Sequence, residues 1–320
     1  PRKEKRQTLL RQLLRDKDTP QESRYALILQ ATRQLKDENT DQIMAIFDDA
    51  LSVPQEDAGI YLVKAMLMAR HDFPRDEVNA VYRQALAVEP DNEMAQGLLV
   101  QNLAEEERFD EIVDLCKTSL QYTPDNQQLC YFEGFSLFQL KRNDEALASL
   151  QKTVELRDEE SDSGMMADCY SLMGEIYREK GMDKACYEAY DSCLHYAPDN
   201  VGALNNYAYY LSLDSAADLQ KAEQMSLKAV QKEPDNATFL DTYAWILFKE
   251  KRYDDAKTIA ERAIASDSTL SSVVVEHCGD IFYMAGDTDR AMEMWQKAAQ
   301  EDENNAILRR KIELKKYIEE

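Results

Sequence analysis

Glycine and proline are scarce in this chain. Nine glycines and eight prolines occur among 320 residues, well below the usage of an average globular protein, as expected for a chain made mostly of helices and short turns. Strand-forming alternation is absent, and no stretch approaches the roughly 18 apolar residues that a membrane span needs. No signal or transit peptide is recognisable. The composition therefore predicts an all-α protein.

Residues that commonly carry chemistry are also few. His71, His195 and His277 are the only histidines, and they lack the spacing of a metal site. Glycine-rich phosphate loops and serine-nucleophile motifs are missing. We therefore expect no enzyme activity, no catalytic residue, no metal site and no cofactor. The six cysteines form no CxxC pair, so we expect buried thiols rather than disulfides or metal ligands.

Positive charge is in short supply. The chain has 38 Lys and Arg against 61 Asp and Glu, a formal net charge of −23, which repels a nucleic-acid backbone. The basic residues are unevenly placed, because residues 1–17 hold seven Lys and Arg and residues 306–318 hold five. We expect both ends to be polar capping helices. Alternatives are that they bind an acidic surface or membrane, or give weak self-association with the acidic middle of another copy.

The chain does contain a long internal repeat. Small or medium residues recur at intervals of 34 to 40 residues: Ala31, Ala65, Val100, Gly134, Gly174, Ala208, Ala244 and Gly279. A second series follows 11 to 14 residues behind the first: Ile43, Val78, Ile112, Ala146, Ala185, Ala222, Ala256 and Ala291. Pro-Asp-Asn stands between repeats at 90–92, 124–126, 198–200 and 234–236, where proline ends one helix and Asn or Asp caps the next. The pattern predicts eight antiparallel helical hairpins.

This pattern resembles the tetratricopeptide repeat (TPR) family over roughly residues 24 to 305. The family's small residues, aromatic and closing proline appear at Gly174, Gly181, Ala185, Tyr190 and Pro198. The resemblance implies one right-handed α-solenoid over residues 1–320. Its parts are an N-terminal helix at 1–17, repeats at 24–57, 58–92, 93–126, 127–166, 167–200, 201–236, 237–271 and 272–305, and a C-terminal capping helix at 306–320. The irregular insert at 157–164 is expected to be a loop rather than a flexible joint or a cation site.

The last third has a narrower resemblance. The runs 204–211, 239–245, 276–280 and 315–318 are similar to envelope-anchored, lipoprotein-type TPR proteins of anaerobic Gram-negative bacteria. The resemblance implies the bacterial cell envelope or periplasm, with the cytoplasm as the alternative. It also implies that this chain is part of a longer one, because Leu9, Leu13 and Pro20 fit the second helix of a repeat whose first helix would precede Pro1.

The resemblance also implies where a partner binds. In the family, positions near five, nine and twelve of each first helix line the inner surface of the solenoid. In this chain those positions hold Tyr131, Phe135, Phe138, Ser171, Glu175, Arg178, Asn205, Tyr209, Ser212, Asp241, Trp245, Phe248, Glu276, Asp280 and Tyr283. Seven of these are aromatic, four are acidic and only one is basic.

This inner surface favours one class of partner. Its lack of basic residues argues against receptors for acidic chaperone tails. Aromatic anchors with acidic neighbours instead fit a protein or peptide that has apolar anchors and basic flanks. We therefore expect a non-catalytic binding scaffold, or alternatively an accessory or regulatory module of a larger assembly or enzyme. On this interpretation Trp245→Ala and Asp241→Lys weaken partner binding without lowering helicity.

Overall fold

A computed structural model describes residues 2–34, 40–214, 218–267 and 269–319, with the side chains of residues 2–4 and 34 left aside. The described residues form eighteen α-helices and no strand, so the predicted all-α helical-repeat fold is confirmed. The chain divides into two compact units, Pro1–Ser161 and Asp162–Glu320. None of the described helices is both long enough and apolar enough to cross a bilayer.

The first unit holds nine helices within its described residues. They are α1 (Arg2–Arg15), α2 (Gln21–Gln34), α3 (Thr40–Leu51), α4 (Gly59–Arg70), α5 (Arg75–Val88), α6 (Glu93–Glu105), α7 (Phe109–Ser119), α8 (Gln127–Gln139) and α9 (Asn143–Glu155). The pairs α2/α3 to α8/α9 are the hairpins, and α1 packs beside α2 and α3.

The second unit holds nine more. They are α10 (Ser163–Glu179), α11 (Asp183–Tyr196), α12 (Val201–Leu213), α13 (Leu219–Lys232), α14 (Ala237–Lys249), α15 (Tyr253–Ser266), α16 (Ser272–Met284), α17 (Thr288–Glu301) and α18 (Ala306–Leu314). The pairs α10/α11 to α16/α17 are hairpins, and α18 packs on α17. The insert forms a loop over residues 156–162, but α10 begins at Ser163, four residues before the start predicted for that repeat, because Asp162 caps it.

Asparagine side chains start the first helix of several hairpins, as the Pro-Asp-Asn motif predicts. The Asn92 Oδ1 accepts a hydrogen bond from the Ala95 amide at 2.9 Å, and the Asn200 Oδ1 accepts one from the Ala203 amide at 3.0 Å. Asn126, Asn236 and Asn305 do the same for α8, α14 and α18. These bonds satisfy amides that a helix start otherwise leaves without a partner.

Left-handed backbone closes the turn inside most hairpins. The residues that adopt it, with φ between 55° and 87°, are Asp72, Glu107, Lys141, Gly181, Lys251 and Gly286. After α8, for example, the Arg142 amide donates back to the Leu137 carbonyl at 2.9 Å, the helix-ending pattern that such a residue permits. Only two of these six positions are glycine, so the turn is a weak signal in the sequence.

Close crossings of paired helices explain the repeated small residues. A Cβ on Gly279 would lie 2.5 Å from Cδ1 of Trp295, and a Cβ on Gly174 would lie 2.9 Å from Cε2 of Tyr190. Trp295 and Tyr190 are fully buried. A large aromatic on the second helix therefore requires the first helix to present no side chain at the crossing point.

The six cysteines, Cys116, Cys130, Cys169, Cys186, Cys193 and Cys278, are buried free thiols, as expected. Burial raises the pKa of the Cys186 thiol to about 12 and that of Cys193 to about 11. The thiolate, which is the reactive form, is therefore disfavoured at both positions.

The crossing geometry yields a testable prediction. Gly279→Ala should lower the free energy of unfolding by roughly 1–3 kcal/mol, because the added methyl overlaps the fully buried Trp295 ring. Gly202→Ala is the matched control, because its Cβ would meet only the Asn200 side chain, at 3.5 Å. It should be neutral or stabilising by up to about 1 kcal/mol. Urea unfolding midpoints measure both, and equal midpoints for Gly279→Ala and wild type would contradict the packing.

Candidate functional site

The predicted inner-surface residues lie on the first helices α8, α10, α12, α14 and α16, and their exposure divides them. Eight are half-buried: Tyr131, Phe135, Phe138, Ser171, Glu175, Arg178, Tyr209 and Tyr283. Seven are buried: Asn205, Ser212, Asp241, Trp245, Phe248, Glu276 and Asp280. All three of the predicted residues in the first unit belong to the half-buried group.

In the first unit, aromatic side chains form a continuous patch on α8 and the start of α7. The ring of Phe135 lies 6.0 Å from that of Phe109 and 6.2 Å from that of Tyr131. Phe138 follows Phe135 by three residues on the same helix, and the Lys141 ammonium lies 5.4 Å from its ring centre. We call Phe109, Tyr131, Phe135 and Phe138 the α8 aromatic surface. All four are half-buried, so part of each residue stays accessible to solvent.

Acidic residues are frequent in the sequence around this surface. Glu105, Glu106 and Glu107 are exposed at the end of α6, directly before Arg108 and Phe109. Glu105 pairs with Arg75 at 2.6 Å, and Glu106 pairs with Arg108 at 3.1 Å. Residues 93–145 carry eleven Asp and Glu against four Lys and Arg. This stretch of the chain therefore carries net negative charge. The glutamates at 105–107 are not among the residues predicted for the inner surface.

In the second unit, Glu175 is held inside a hydrogen-bond network. Its carboxylate accepts from the Tyr190 hydroxyl, from Asn206 Nδ2 at 3.1 Å and from the Tyr210 hydroxyl at 2.7 Å. Burial and then Glu175 raise the pKa of the Tyr210 hydroxyl, so Tyr210 remains a donor at neutral pH. Arg178 pairs with Asp183 at 2.7 Å. Both predicted charged residues of α10 thus have partners in their own unit.

A buried polar cluster joins α16 to α18. The Lys311 ammonium, 1% exposed, donates to Glu276 Oε1 and to Asp280 Oδ2, both at 2.8 Å. The remaining carboxylate oxygens are also satisfied, because Asn305 Nδ2 donates to Glu276 Oε2 and Trp295 Nε1 donates to Asp280 Oδ1, both at 2.9 Å. Each buried charge therefore has the partner that burial requires.

Ionisation in this cluster follows from burial and pairing. Burial raises the pKa of Asp280 to about 6, against the opposing effects of Lys311 and the Trp295 indole. Burial also acts to lower the pKa of Lys311, but Asp280 and Glu276 outweigh it and leave that pKa raised. At neutral pH the Asp280 carboxylate and the Lys311 ammonium are both charged, and they form a buried ion pair.

A second buried pair joins α14 to α16. His277 Nδ1 lies 3.0 Å from Asp241 Oδ2, and the imidazole stacks on Trp245 with ring centres 4.0 Å apart. Trp245 stacks in turn on Phe248 at 4.8 Å. Burial acts to lower the pKa of His277, but Asp241 in particular outweighs it, and the net pKa is raised. His277 is therefore a paired core residue.

These contacts show that several residues predicted for the partner-binding surface are engaged within their own chain. Asp241, Glu276 and Asp280 were expected to select basic groups on a partner, yet each is buried and bonded to His277 or Lys311 of its own chain. Trp245, Phe248 and Asn205 are likewise buried. The physical reason is that a neighbouring helix supplies a contact: α16 places His277 against Asp241 and Trp245, and α18 places Lys311 against Glu276 and Asp280. The Tyr283 ring packs against Trp295, with ring centres 5.7 Å apart.

Three partners of these residues were not predicted from the sequence: Lys311 for Glu276 and Asp280, Asn206 for Glu175, and Tyr317, whose ring lies 5.5 Å from that of Phe248. A signal was available, because Lys311 follows Glu276 by 35 residues and His277 follows Asp241 by 36, which is one repeat in each case. Residues one repeat apart occupy neighbouring helices, so opposite charges at that spacing indicate an ion pair.

The basic N-terminal helix also has partners within its own unit. Arg11 and Arg15 of α1 both pair with the buried Asp49 of α3, and Arg15 Nε donates to Asp49 Oδ1 at 2.7 Å. Leu9 and Leu13 stay exposed, at 56% and 37%. Part of the basic charge at this end therefore fastens α1 to the repeats. Across the described residues, His, Cys, Asp and Glu form no group that could hold a metal ion.

Scans against family models and curated proteins find no match, but solved structures do match. A tetratricopeptide repeat protein from Parabacteroides merdae is 13% identical over 81% of this chain and 98% of its own, with a TM-score of 0.52. The C-terminal part of a TPR repeat-containing protein from Cytophaga hutchinsonii is 10% identical over 65% and 80%, with a TM-score of 0.51. YrrB, described as a TPR protein with an unusual peptide-binding site, is 11% identical over 58% and 92%, with a TM-score of 0.50. The chain therefore has the TPR fold.

The His277 pair predicts a pH dependence. Because the folded chain binds this proton more tightly than the unfolded chain, the pair's contribution to stability is fully present below about pH 6.5. It is lost as the pH rises through the raised pKa of His277. Urea midpoints measured from pH 6.5 to 9 should fall, and His277→Gln should flatten that fall. His195→Gln, at an exposed position, is the control and should keep the wild-type slope.

Because Trp245 is buried, its substitution should lower the stability of the fold itself, whereas the sequence predicted only weaker partner binding. Trp245 is 7% exposed and lies between two stacked rings, so Trp245→Ala should cost about 3–5 kcal/mol of stability through the cavity that it leaves. Tyr122→Ala, at a position that is 53% exposed, should change stability by less than about 0.5 kcal/mol. Thermal or urea unfolding monitored by far-UV circular dichroism decides, and an unchanged midpoint for Trp245→Ala would refute its structural role.

Proposed function

We propose that this chain is a non-catalytic scaffold that binds a segment of another protein on the α8 aromatic surface. The observation that carries the proposal is the half-buried, solvent-accessible group of Phe109, Tyr131, Phe135 and Phe138. The matching aromatics of α14, Trp245 and Phe248, are buried inside their own unit. Rigid aromatic rings give a large contact area at a low cost in conformational entropy, which is why they dominate binding hot spots.

The charge around this surface defines the segment that fits it. Glu107 is exposed beside Phe109, and the surrounding residues 93–145 are mainly acidic. A segment with aromatic or aliphatic anchors and flanking Lys or Arg would bury its anchors on the rings and pair its charges at the rim. YrrB, which shares the fold, is described as having a peptide-binding site, and this supports a peptide as the ligand class.

A random-peptide display library, selected on the immobilised full chain, tests this proposal. We expect enrichment of peptides with an apolar or aromatic core and basic flanks. Phe135→Ala should weaken the best peptide by at least about tenfold, the size of a hot-spot truncation. Tyr122→Ala is the matched aromatic control, because Tyr122 lines a different groove, between α5 and α7, and it should leave binding unchanged.

Glu107→Lys tests the charge separately. Lysine already occupies the equivalent left-handed turn position at Lys141 and Lys251, so the backbone tolerates the change. Binding of basic-flanked peptides should weaken several-fold at low salt, with a smaller effect at high salt because ions screen exposed charges. Selection of acidic peptides, or binding that survives both Phe135→Ala and Tyr131→Ala, would contradict the proposal.

A further inference from the structure

The carboxylates of Glu276 and Asp280 are arranged around an ammonium group. Glu276 uses one oxygen to accept from Asn305 and Asp280 uses one to accept from Trp295. Each carboxylate then has one oxygen left, and both of these lie 2.8 Å from Lys311 Nζ. Two charged acceptors held in place by other hydrogen bonds make a preorganised site for a cation that donates hydrogen bonds. The occupant in this structure is the lysine of α18.

An aromatic residue accompanies that lysine. Tyr317, six residues after Lys311, meets Phe248 edge to face at 5.5 Å, and the Lys311 ammonium lies 5.5 Å from the Tyr317 ring centre. Phe248 is the outer member of the Phe248, Trp245 and His277 stack. Residues 306–317 therefore place a lysine against the acidic pair and an aromatic ring against the stack. The acidic pair and two members of the stack, Trp245 and Phe248, were predicted from the sequence to bind a partner.

The helix that supplies these groups is weakly held. α18 has nine residues, fewer than an isolated helix needs to be stable in water. Only Leu308 and Lys311 on it are buried. A buried ion pair contributes little net stability, because desolvation offsets the attraction. Elements with few buried contacts open at a lower free energy than the whole fold.

The negative charge of the Glu276 and Asp280 site exceeds the positive charge of Lys311, which favours a partner segment with more than one cation. Lys311 supplies one positive charge to two carboxylates, and the neighbouring His277 is paired with Asp241. A segment that brings a second cation beside its lysine would balance the site better than α18 does.

We propose that Glu276 and Asp280 form a lysine-binding site that α18 fills within its own chain, and that a basic partner segment with a lysine and a nearby aromatic displaces α18 from it. This site lies in the second unit and does not depend on the α8 aromatic surface.

Hydrogen exchange of the unmodified full chain is the first test. Amides of 306–314 should exchange at least about tenfold faster than those of α14 and α16 under native conditions, because α18 opens alone. Protection of α18 equal to that of α16 would show that it opens only with global unfolding, and would overturn the proposal.

The second test uses a fluorescein-labelled peptide with the sequence of residues 303–319 and the full-length Lys311→Met variant. Lys311→Met leaves two buried carboxylates unpaired, so α18 should open and the peptide should bind at least about tenfold tighter than to wild type. A peptide with Met in place of its lysine should lose that gain. Both tryptophans of the chain, Trp245 and Trp295, lie in this cluster, so their fluorescence reports opening and refilling.

The charge-free variant Glu276→Gln/Asp280→Asn/Lys311→Met is the matched control. It should keep α18 closed by hydrogen exchange and should not bind the peptide. Equal binding to this variant and to Lys311→Met, or no binding to either, would overturn the proposal. The gain in peptide binding from wild type to Lys311→Met should persist when both carry Phe135→Ala, in the other unit, which separates this test from that of the proposed function.

Discussion

A helical hairpin of this chain cannot bury its apolar face alone, so each one packs against the hairpins before and after it in its unit. Stacking by repeats places residues about 34 to 36 positions apart side by side on neighbouring helices. His277 thus meets Asp241, and Lys311 meets Glu276. This register decides which polar side chains on the first helices are satisfied within the fold and which remain for another molecule.

In residues 162–320 the register pairs the carboxylates predicted for the inner surface with groups on the first helix of the next repeat or on α18. Glu175 bonds to Asn206, Asp241 to His277, and Asp280 to Lys311. Because these groups are buried or half-buried, leaving any of them without a partner would be costly. In residues 93–145 the corresponding surface is aromatic, and rings need no such partner. Half-buried rings can therefore remain accessible there without an energetic penalty for missing hydrogen bonds. This difference is why partner binding is proposed for the α8 aromatic surface.

Much of the fold was predictable because small residues and helix-capping asparagines recur at the repeat spacing. Gly279 facing Trp295, and Asn200 capping α12, follow from local steric and hydrogen-bond rules. The state of the inner surface was harder to predict, because whether Asp280 is free depends on a residue 31 positions later. Family positions identify the inner face of a helix but not the side chain that the next helix places against it. The left-handed turn conformation of Lys141 and Lys251 was also not predictable, because only glycine at these positions would have signalled it.

Side-chain footprinting with hydroxyl radicals on the intact chain tests this division most directly. The readout is the oxidation rate of each residue, divided by its intrinsic reactivity and measured by mass spectrometry. Tyr131 and Phe135 should be modified readily, and Trp245 and Phe248 should be strongly protected. Equal modification of the two sets would contradict this division, because it would show that the second unit does not bury these aromatic residues.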